Sequence, residues 1–384
     1  MPKSKNNLKV VSIFSGAGCF DLGFEVAGFN TILAVDSDFD CCSTIKANRN
    51  WLVVNSPIEA LKSKDLLGMV NLKPRQLDLL IGGPPCQPFS KSAFGSVANL
   101  LGFEDERALT VREYMRIVRT FLPNCFVIEN VPQFITGKNL ATKEYLENAM
   151  KRINIFHGTN YKLSYCKINT AWYGVPQLRE RLFIIGSRSG KLFKMPNQIF
   201  FKNYKENKLL SYRTTWDAIG HLETSFRNDT SLKVGGKWGD LLPSVPPGNN
   251  YLWHTRRGGG KNIFEWRSRY WNFLLKLHPQ QPSWTIAANP GQHTGPFHWG
   301  NRRLSIKELQ LLQTIPAEYK FCGSAISARR QIGNAVPSAI GELIGKEIRK
   351  QIFGERSIEL DKLELIPKKR KRKKVEDEFL VTAG

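Results

Sequence analysis

Cys86 stands in the segment Gly82-Gly83-Pro84-Pro85-Cys86-Gln87-Pro88-Phe89-Ser90, directly after an apolar run at 77–81. Two glycines and three prolines make a rigid loop whose backbone can come close to a ligand. A thiol displayed there is a candidate nucleophile, because its thiolate forms at a moderate pKa. Glu129 follows a second apolar run, 125–128, and opens Glu129-Asn130-Val131-Pro132. A carboxyl group at the end of a buried strand can keep a proton when desolvation raises its pKa, and can then donate it. A helix-capping acid is the alternative. Gln177, Arg179 and Arg181 alternate in Gln177-Leu178-Arg179-Glu180-Arg181, which puts these three side chains on one strand face and Glu180 on the other. Guanidinium forks fixed on a strand suit a carbonyl oxygen or a phosphate.

A fourth segment, Phe14-Ser15-Gly16-Ala17-Gly18, has a different role. Its glycines follow an apolar run at 8–14 and let the backbone approach a small molecule at a strand-to-helix turn. Asp36, about twenty residues further on and at the end of the apolar run 31–35, is placed for a ribose hydroxyl. A nucleotide-type cofactor is expected here in preference to a purely structural turn. The dinucleotide fingerprint asks for glycine at position 21, where this chain has Asp21, so the loop does not suit NAD.

These segments need a scaffold that brings strand ends together. The first half supplies apolar runs at 8–14, 31–35, 77–81, 125–128, 161–168 and 181–186, with helical patterns at 21–27, 39–48 and 107–121 between them. This alternation argues for an α/β fold with a parallel, doubly wound sheet. Beyond about residue 205 the pattern changes to turn formers (LLPSVPPGNN, GGG) with interleaved Lys237, Trp238, Trp253, His254, Arg256, Arg257, Trp266, Arg267, Arg269, Tyr270 and Trp271. That stretch reads as a second, smaller and less regular domain. Helical patterns return at 306–313 and 337–352, and the run KKRKRKK at 368–374 reads as part of a disordered basic tail.

A length of 384 residues allows two or three domains. Lys and Arg exceed Asp and Glu by 56 to 33, a surplus of +23 that favours a polyanionic partner. Nucleic acid is preferred to a membrane surface, since no long apolar run and no secretory leader pattern is found. The seven cysteines form no C-x-x-C pair and the six histidines show no ligand spacing, so no metal is expected and the thiols are expected to be reduced and intracellular. Cys19, Cys41, Cys42, Cys125, Cys166 and Cys322 read as small buried thiols, unlike Cys86.

Taken together and in order, the motifs resemble those of the cytosine-C5 DNA methyltransferase family, of the bacterial modification methylase type, over nearly all of residues 8–350. FSGAGCFDLGF resembles its cofactor loop, GGPPCQPFS its nucleophile loop, ENVP its glutamate motif and QLRER its paired-arginine motif. Residues 302–316 resemble the helix before its last motif, and Gln331-Ile332-Gly333-Asn334-Ala335-Val336-Pro337 that motif itself. The resemblance implies a doubly wound mixed sheet of the S-adenosylmethionine-dependent methyltransferase type with a smaller, irregular target-recognition domain. The implied division is a catalytic and cofactor-binding part at 1–205, target recognition at 206–303, a hinge at 304–330, a returning catalytic segment at 331–354 and a tail at 355–384.

It also implies a DNA (cytosine-5-)-methyltransferase that uses S-adenosyl-L-methionine, releases S-adenosyl-L-homocysteine and flips its target base. The roles implied are Cys86 as the nucleophile, Glu129 as the proton-holding acid and Arg181, assisted by Arg179, on cytosine O2, with Gln177 and Asn130 beside them. The donor would lie against Phe14, Ser15, Gly16, Ala17, Gly18, Asp36, Ser37, Ile58, Pro85, Leu109 and Asn334. The chain departs from the family's usual residues at Cys19, Ser37 and Pro57, so adenine contacts are expected from the backbone. Expected partners are double-stranded DNA and, without physical binding, a restriction endonuclease of the same site. A monomer in the cytoplasm, associated with the nucleoid through DNA, is the default. A non-catalytic DNA-binding protein on this scaffold and a tRNA cytosine-C5 methyltransferase are the rival readings.

Overall fold

Strand β1 (Leu8–Ile13) belongs to a seven-stranded sheet with β2 (Phe29–Asp36), β3 (Leu52–Asn55), β4 (Leu79–Gly82), β5 (Cys125–Asn130), β6 (Lys162–Asn169) and β7 (Glu180–Ser187), in the order β3-β2-β1-β4-β5-β7-β6, with β4 in the middle. The computed structural model describes residues 7–85, 106–201, 210–265, 270–355 and 363–371, with the backbone alone at 106–108 and 138. Cys86 lies outside the described residues, as do Trp266, Arg267, Arg269 and residues 372–374 of the basic run.

Strands β1 to β5 run parallel, and the apolar runs of β1, β4 and β5 are buried on both faces, as a sheet covered on both sides requires, while the edge strand β3 is only half-buried. The wholly parallel sheet expected from the alternation is corrected at its far edge: β7 pairs antiparallel with both β5 and β6. The connection from β6 to β7 is the ten residues 170–179, including a short turn of 3-10 helix at Thr170–Tyr173. A parallel crossover needs a dozen residues or more, so a link this short returns the chain antiparallel. The mixed sheet implied by the resemblance is the one observed.

Helices cover both faces. On one, α4 (Glu106–Phe121) and α5 (Leu140–His157) bury Val111, Tyr114, Val118, Phe121, Leu146, Met150 and Ile153. On the other, α1 (Cys19–Val26) packs against α9 (Ser338–Gln351), burying Phe20, Phe24, Ile340, Leu343, Ile344 and Ile348. Each such side chain contributes roughly 1.5–3 kcal/mol on burial. Contact between α1 and α9 depends on glycine: a Cβ on Gly23 would lie 2.1 Å from the Ser338 carbonyl oxygen, and one on Gly341 would lie 2.4 Å from that of Phe20. Helices more than 300 residues apart in sequence are thereby packed backbone to backbone, one of them starting directly after the loop at 14–18.

Residues 206–303 contribute to two cores. Val234, Leu242, Val245, Tyr251, Leu274 and Phe297 form one, with Trp238, Trp253, Phe264 and Phe273 packed around it. Trp238 and Trp253 are therefore core-forming, and His254 is buried between Ser244 Oγ at 2.8 Å and the Lys261 carbonyl oxygen at 3.0 Å. Lys237, Arg256, Arg257, Tyr270 and Trp271 remain exposed. Ile219, Leu277 and Ile286 instead join Ala17, Cys19 and Leu22 in a core shared with α7 (Ile306–Leu312) and α8 (Ala325–Asn334). Ser305 and Glu308 cap α7 reciprocally, and the buried Glu308 carboxylate also takes both terminal nitrogens of Arg302 at 2.7 Å.

The disordered tail expected from residue 355 is corrected for 363–371. The Glu364 and Leu365 amides donate to the fully buried Glu342 carboxylate of α9, at 2.8 and 3.1 Å. Ile366 packs against Gly174, where a Cβ would meet it at 2.6 Å. The Arg370 amide then donates to Asp217 Oδ1, at 2.8 Å, on α6 (Thr215–Ile219). Charge alone predicts solvation of such a run; two buried carboxylates holding backbone N–H groups make the docked path favourable.

Candidate active site

The loops singled out in the sequence emerge on one side, at the carboxyl ends of β1, β2, β4 and β5, where parallel sheets bind ligands. They line a cavity of about 500 Å³. The loop after β1 is clipped to β2: Ser15 N donates to the Val35 carbonyl at 3.2 Å, and Val35 N donates back to Ser15 Oγ at 3.1 Å. Gly16 adopts φ +52°, a left-handed conformation that glycine adopts without a Cβ clash, and its amide donates to Asp36 Oδ2 at 2.7 Å. Asp38 N donates to the other Asp36 oxygen at 2.9 Å. Burial pushes the Asp36 carboxyl above its ordinary range, and the Asp38 and Gly16 amides draw it back. Each carboxylate oxygen retains lone-pair capacity for a ligand hydroxyl.

Glu129 closes the other end of the same cavity. Its Oε1 lies 2.8 Å from Arg181 Nε, both side chains nearly buried, because β5 and β7 run antiparallel and bring their ends together. Burial raises the Glu129 carboxyl's pKa, while Arg181 and then Arg179 oppose the rise. A Cβ on Gly83 would lie 3.0 Å from Glu129 Oε2, so glycine lets the β4 loop lie against the acid. Asn130 Nδ2 donates to the Pro84 carbonyl at 2.9 Å, tying the start of the nucleophile loop to the glutamate motif.

Arg179 and Gln177 have other tasks. Arg179 is buried and donates to the carbonyls of Ile286, at 3.3 Å, and Gly333, at 2.9 Å. Burial disfavours its charge, Arg181 adds to that, and Glu129 opposes it. Gln177 donates to Gln313 Oε1 at 3.0 Å and accepts from the Ile286 amide at 3.1 Å. Both residues join the 286 segment and the last motif to the sheet.

Of the residues expected around a donor, Phe14, Ser15, Gly16, Ala17, Asp36, Ser37, Pro85 and Asn334 line this cavity together with Glu129, Asn130, Arg179 and Arg181. Three are placed elsewhere. Gly18 faces Ile45, Tyr319 and Trp51, Ile58 is buried in the core beneath α4, and Leu109 is exposed on α4. Sequence reasoning missed Arg330, which lines the cavity and pairs with Asp38, and Gln331, held by Thr44 and the Cys322 carbonyl. Both belong to α8, whose amphipathic pattern was the available signal. Of the six thiols read as structural, Cys19, Cys41, Cys42 and Cys125 are buried, whereas Cys166 and Cys322 are partly exposed. Among the described residues, no group of three or more potential ligands could hold a metal, and no helix is long and apolar enough to cross a membrane.

Residues 8–350 match the family model for C-5 cytosine-specific DNA methylase. The Type II methyltransferase M.SacI of Streptomyces achromogenes is 34% identical over 375 residues, covering 90% of this chain and 94% of that one. M1.HphI of Haemophilus parahaemolyticus, also named a Type II methyltransferase, is 30% identical over 355 residues, covering 91% and 88%. In fold, the chain is similar to a crystal structure described as a DNA modification methyltransferase encoded within an E. coli prophage, with a TM-score of 0.64, 22% identity and coverage of 90% and 99%. The methyltransferase-type sheet, the motif loops gathered on one cavity and the match across nearly the whole length agree: the chain belongs to the C-5 cytosine-specific DNA methylase family and is a DNA (cytosine-5-)-methyltransferase.

Proposed function

We propose that the protein methylates C5 of a flipped cytosine within a specific duplex sequence, through a covalent adduct between Cys86 and cytosine C6, as the modification half of a restriction-modification system. The observation that carries this reading is the Glu129–Arg181 pair, held at 2.8 Å in the cavity that the loop at 14–17 and Asp36 also line.

The residues present fit S-adenosylmethionine as the donor. Asp36 is a buried carboxylate at the end of β2 suited to a ribose, and Phe14, Ser37, Pro85 and Asn334 complete the walls. When bound, this donor supplies a methyl group made electrophilic by its sulfonium. The protein's task is to make cytosine C5 nucleophilic. Addition of the Cys86 thiolate to C6 forms the S–C6 bond and pushes an electron pair toward C5 and N3. Glu129 shares a proton with N3, and Arg181 donates to O2, so the charge arising on the ring meets a proton and a cation. Arg179 holds the walls behind them. After methylation at C5, a base, water in this reading, takes the C5 proton and the Cys86 sulfur leaves with the S–C6 electron pair, restoring the ring.

A cytosine stacked in a duplex cannot reach such a cavity, so the base swings out at a cost of a few kcal/mol. The net charge of +23 and the exposed Lys237, Arg256 and Arg257 support phosphate contacts, with affinity that falls steeply with salt.

Trapping on a duplex carrying 5-fluorocytosine tests the reading, since fluorine blocks the final proton loss. A covalent complex mapped to Cys86 in wild type and absent in Cys86→Ala is expected. Adduct formation by Cys86→Ala, or methylation of tRNA in preference to duplex DNA, refutes it.

A further inference from the structure

Asp21 occupies the position where a dinucleotide-binding loop has its third glycine, and none of the roles above uses it. It lies in the first turn of α1, is 1% exposed and lines the donor cavity beside Phe14, Ser15, Gly16 and Ala17. Its Oδ1 is buried and has no hydrogen-bond partner among the described residues. A buried acceptor without a partner is costly and rare in native proteins, and at the wall of a ligand cavity it points to a donor supplied by the ligand.

The charges around Asp21 sharpen this. Glu25 and Cys19 face it on its own helix, Asp36 faces it from β2 and Tyr319 from the segment after α7; none of these is a cation, and Ser12 on β1 offers a hydroxyl. Burial first, then Glu25 and Asp36, push its carboxyl up to about 7 against the Ser12 hydroxyl and its own amide. The site therefore favours a ligand that brings positive charge.

The donor's own chemistry says which part of it that is. No side chain caps the N-terminus of α1, whose first N–H groups at the cavity suit a carboxylate. An amino acid carries its ammonium on the carbon next to its carboxylate. With the α-carboxylate at the helix end and the ribose at Asp36, the ammonium comes to the acid in the same helical turn. We propose that Asp21 is the acceptor for the α-ammonium group of the donor's amino-acid end. This assignment rests on S-adenosylmethionine being the donor.

Calorimetry on the full-length protein tests it with three probes: S-adenosylmethionine, S-adenosylhomocysteine and 5′-methylthioadenosine, the last of which keeps the nucleoside and the thioether and lacks the amino acid. Asp21→Asn preserves size and removes the charge. It is expected to weaken the first two ligands by about tenfold or more, the difference between a charge-assisted bond and a neutral one, and to leave 5′-methylthioadenosine unchanged, which also shows that the variant is folded. In wild type, affinity for S-adenosylhomocysteine falls as the pH drops below about 7; in the variant this dependence disappears.

Unchanged binding of S-adenosylhomocysteine by the variant overturns the assignment, as does an equal loss of 5′-methylthioadenosine. Loss of S-adenosylmethionine alone overturns it too, because the acid would then read the sulfonium. A wild-type protein that binds none of the three refutes the donor reading itself, which the other outcomes leave standing.

Discussion

Lys276 is 2% exposed in the region after residue 206, where its Nζ donates to Asn301 Oδ1 at 2.6 Å. Burial brings its ammonium down from the ordinary 10.5 to about 8. That fall corresponds to roughly 3 kcal/mol of penalty on the charged form. Below about pH 8 both folded and unfolded chains carry the proton, and the fold bears the full cost. Between about 8 and 10.5 the unfolded chain binds more protons than the folded one, so stability rises with pH, and beyond 10.5 the cost is gone.

Lys276→Met keeps the apolar stem and removes the charge. It forfeits the Asn301 bond, worth about 1–2 kcal/mol, although exposed Asn301 can turn to water. The variant should therefore be more stable than wild type near neutrality by about 1–2 kcal/mol, read as a rise of a few degrees in Tm by scanning calorimetry. At pH above about 10 the advantage should vanish or reverse. A variant less stable than wild type at neutral pH, or a difference that does not change with pH, refutes the reasoning.

Two further outcomes are expected. Glu129→Gln should lower kcat by about 10²–10⁴ and remove the alkaline limb of the rate profile, because the raised carboxyl loses its proton as the pH climbs; single-turnover rates across pH check this. Gly23→Ala forces a Cβ to within 2.1 Å of the Ser338 carbonyl, so α1 and α9 must separate; a loss of about 1–3 kcal/mol in thermal or urea unfolding is expected, with Ala at the exposed, helical Gly68 as the control that leaves stability unchanged or raised by up to about 1 kcal/mol.

The site was legible where local rules decide it. Glycine and proline directly after apolar runs mark strand ends, and the loops at 14–18, 82–85 and 129–132 all lie at the carboxyl edge of the sheet. Alternation also placed Arg179 and Arg181 on one face, and both line the cavity. Their partners were not legible. Arg179 bonds carbonyls at 286 and 333, more than 100 residues away in sequence, contacts that spacing within one motif does not disclose. The direction of β7 was missed for a similar reason, since antiparallel pairing depends on the length of a link and on which neighbour has an open edge. Helix α5 escaped because exposed Ile155 and Phe156 blur its apolar stripe, and β3 because its four residues LVVN are only half-buried. In the stretch after 206 composition does not separate core from surface: Trp238 and Trp253 fill a core that lacks regular strands among the described residues, while Lys237, Arg256 and Arg257 stay exposed.

The path of residues 363–371 is held at three points by main-chain amides, those of Glu364, Leu365 and Arg370, on two buried acids. These amide bonds do not depend on side-chain identity, unlike the packing of Ile366 on Gly174 and the bond from Arg370 Nε to the Asp217 carbonyl at 3.0 Å; proline, which has no amide hydrogen, is excluded at those three places and accommodated at Pro367 between them. The charges of the exposed Lys368, Lys369 and Lys371 are thus free to drift or be redesigned, from basic to neutral or acidic, without losing the route: affinity for a polyanion could be retuned there as an independent dial.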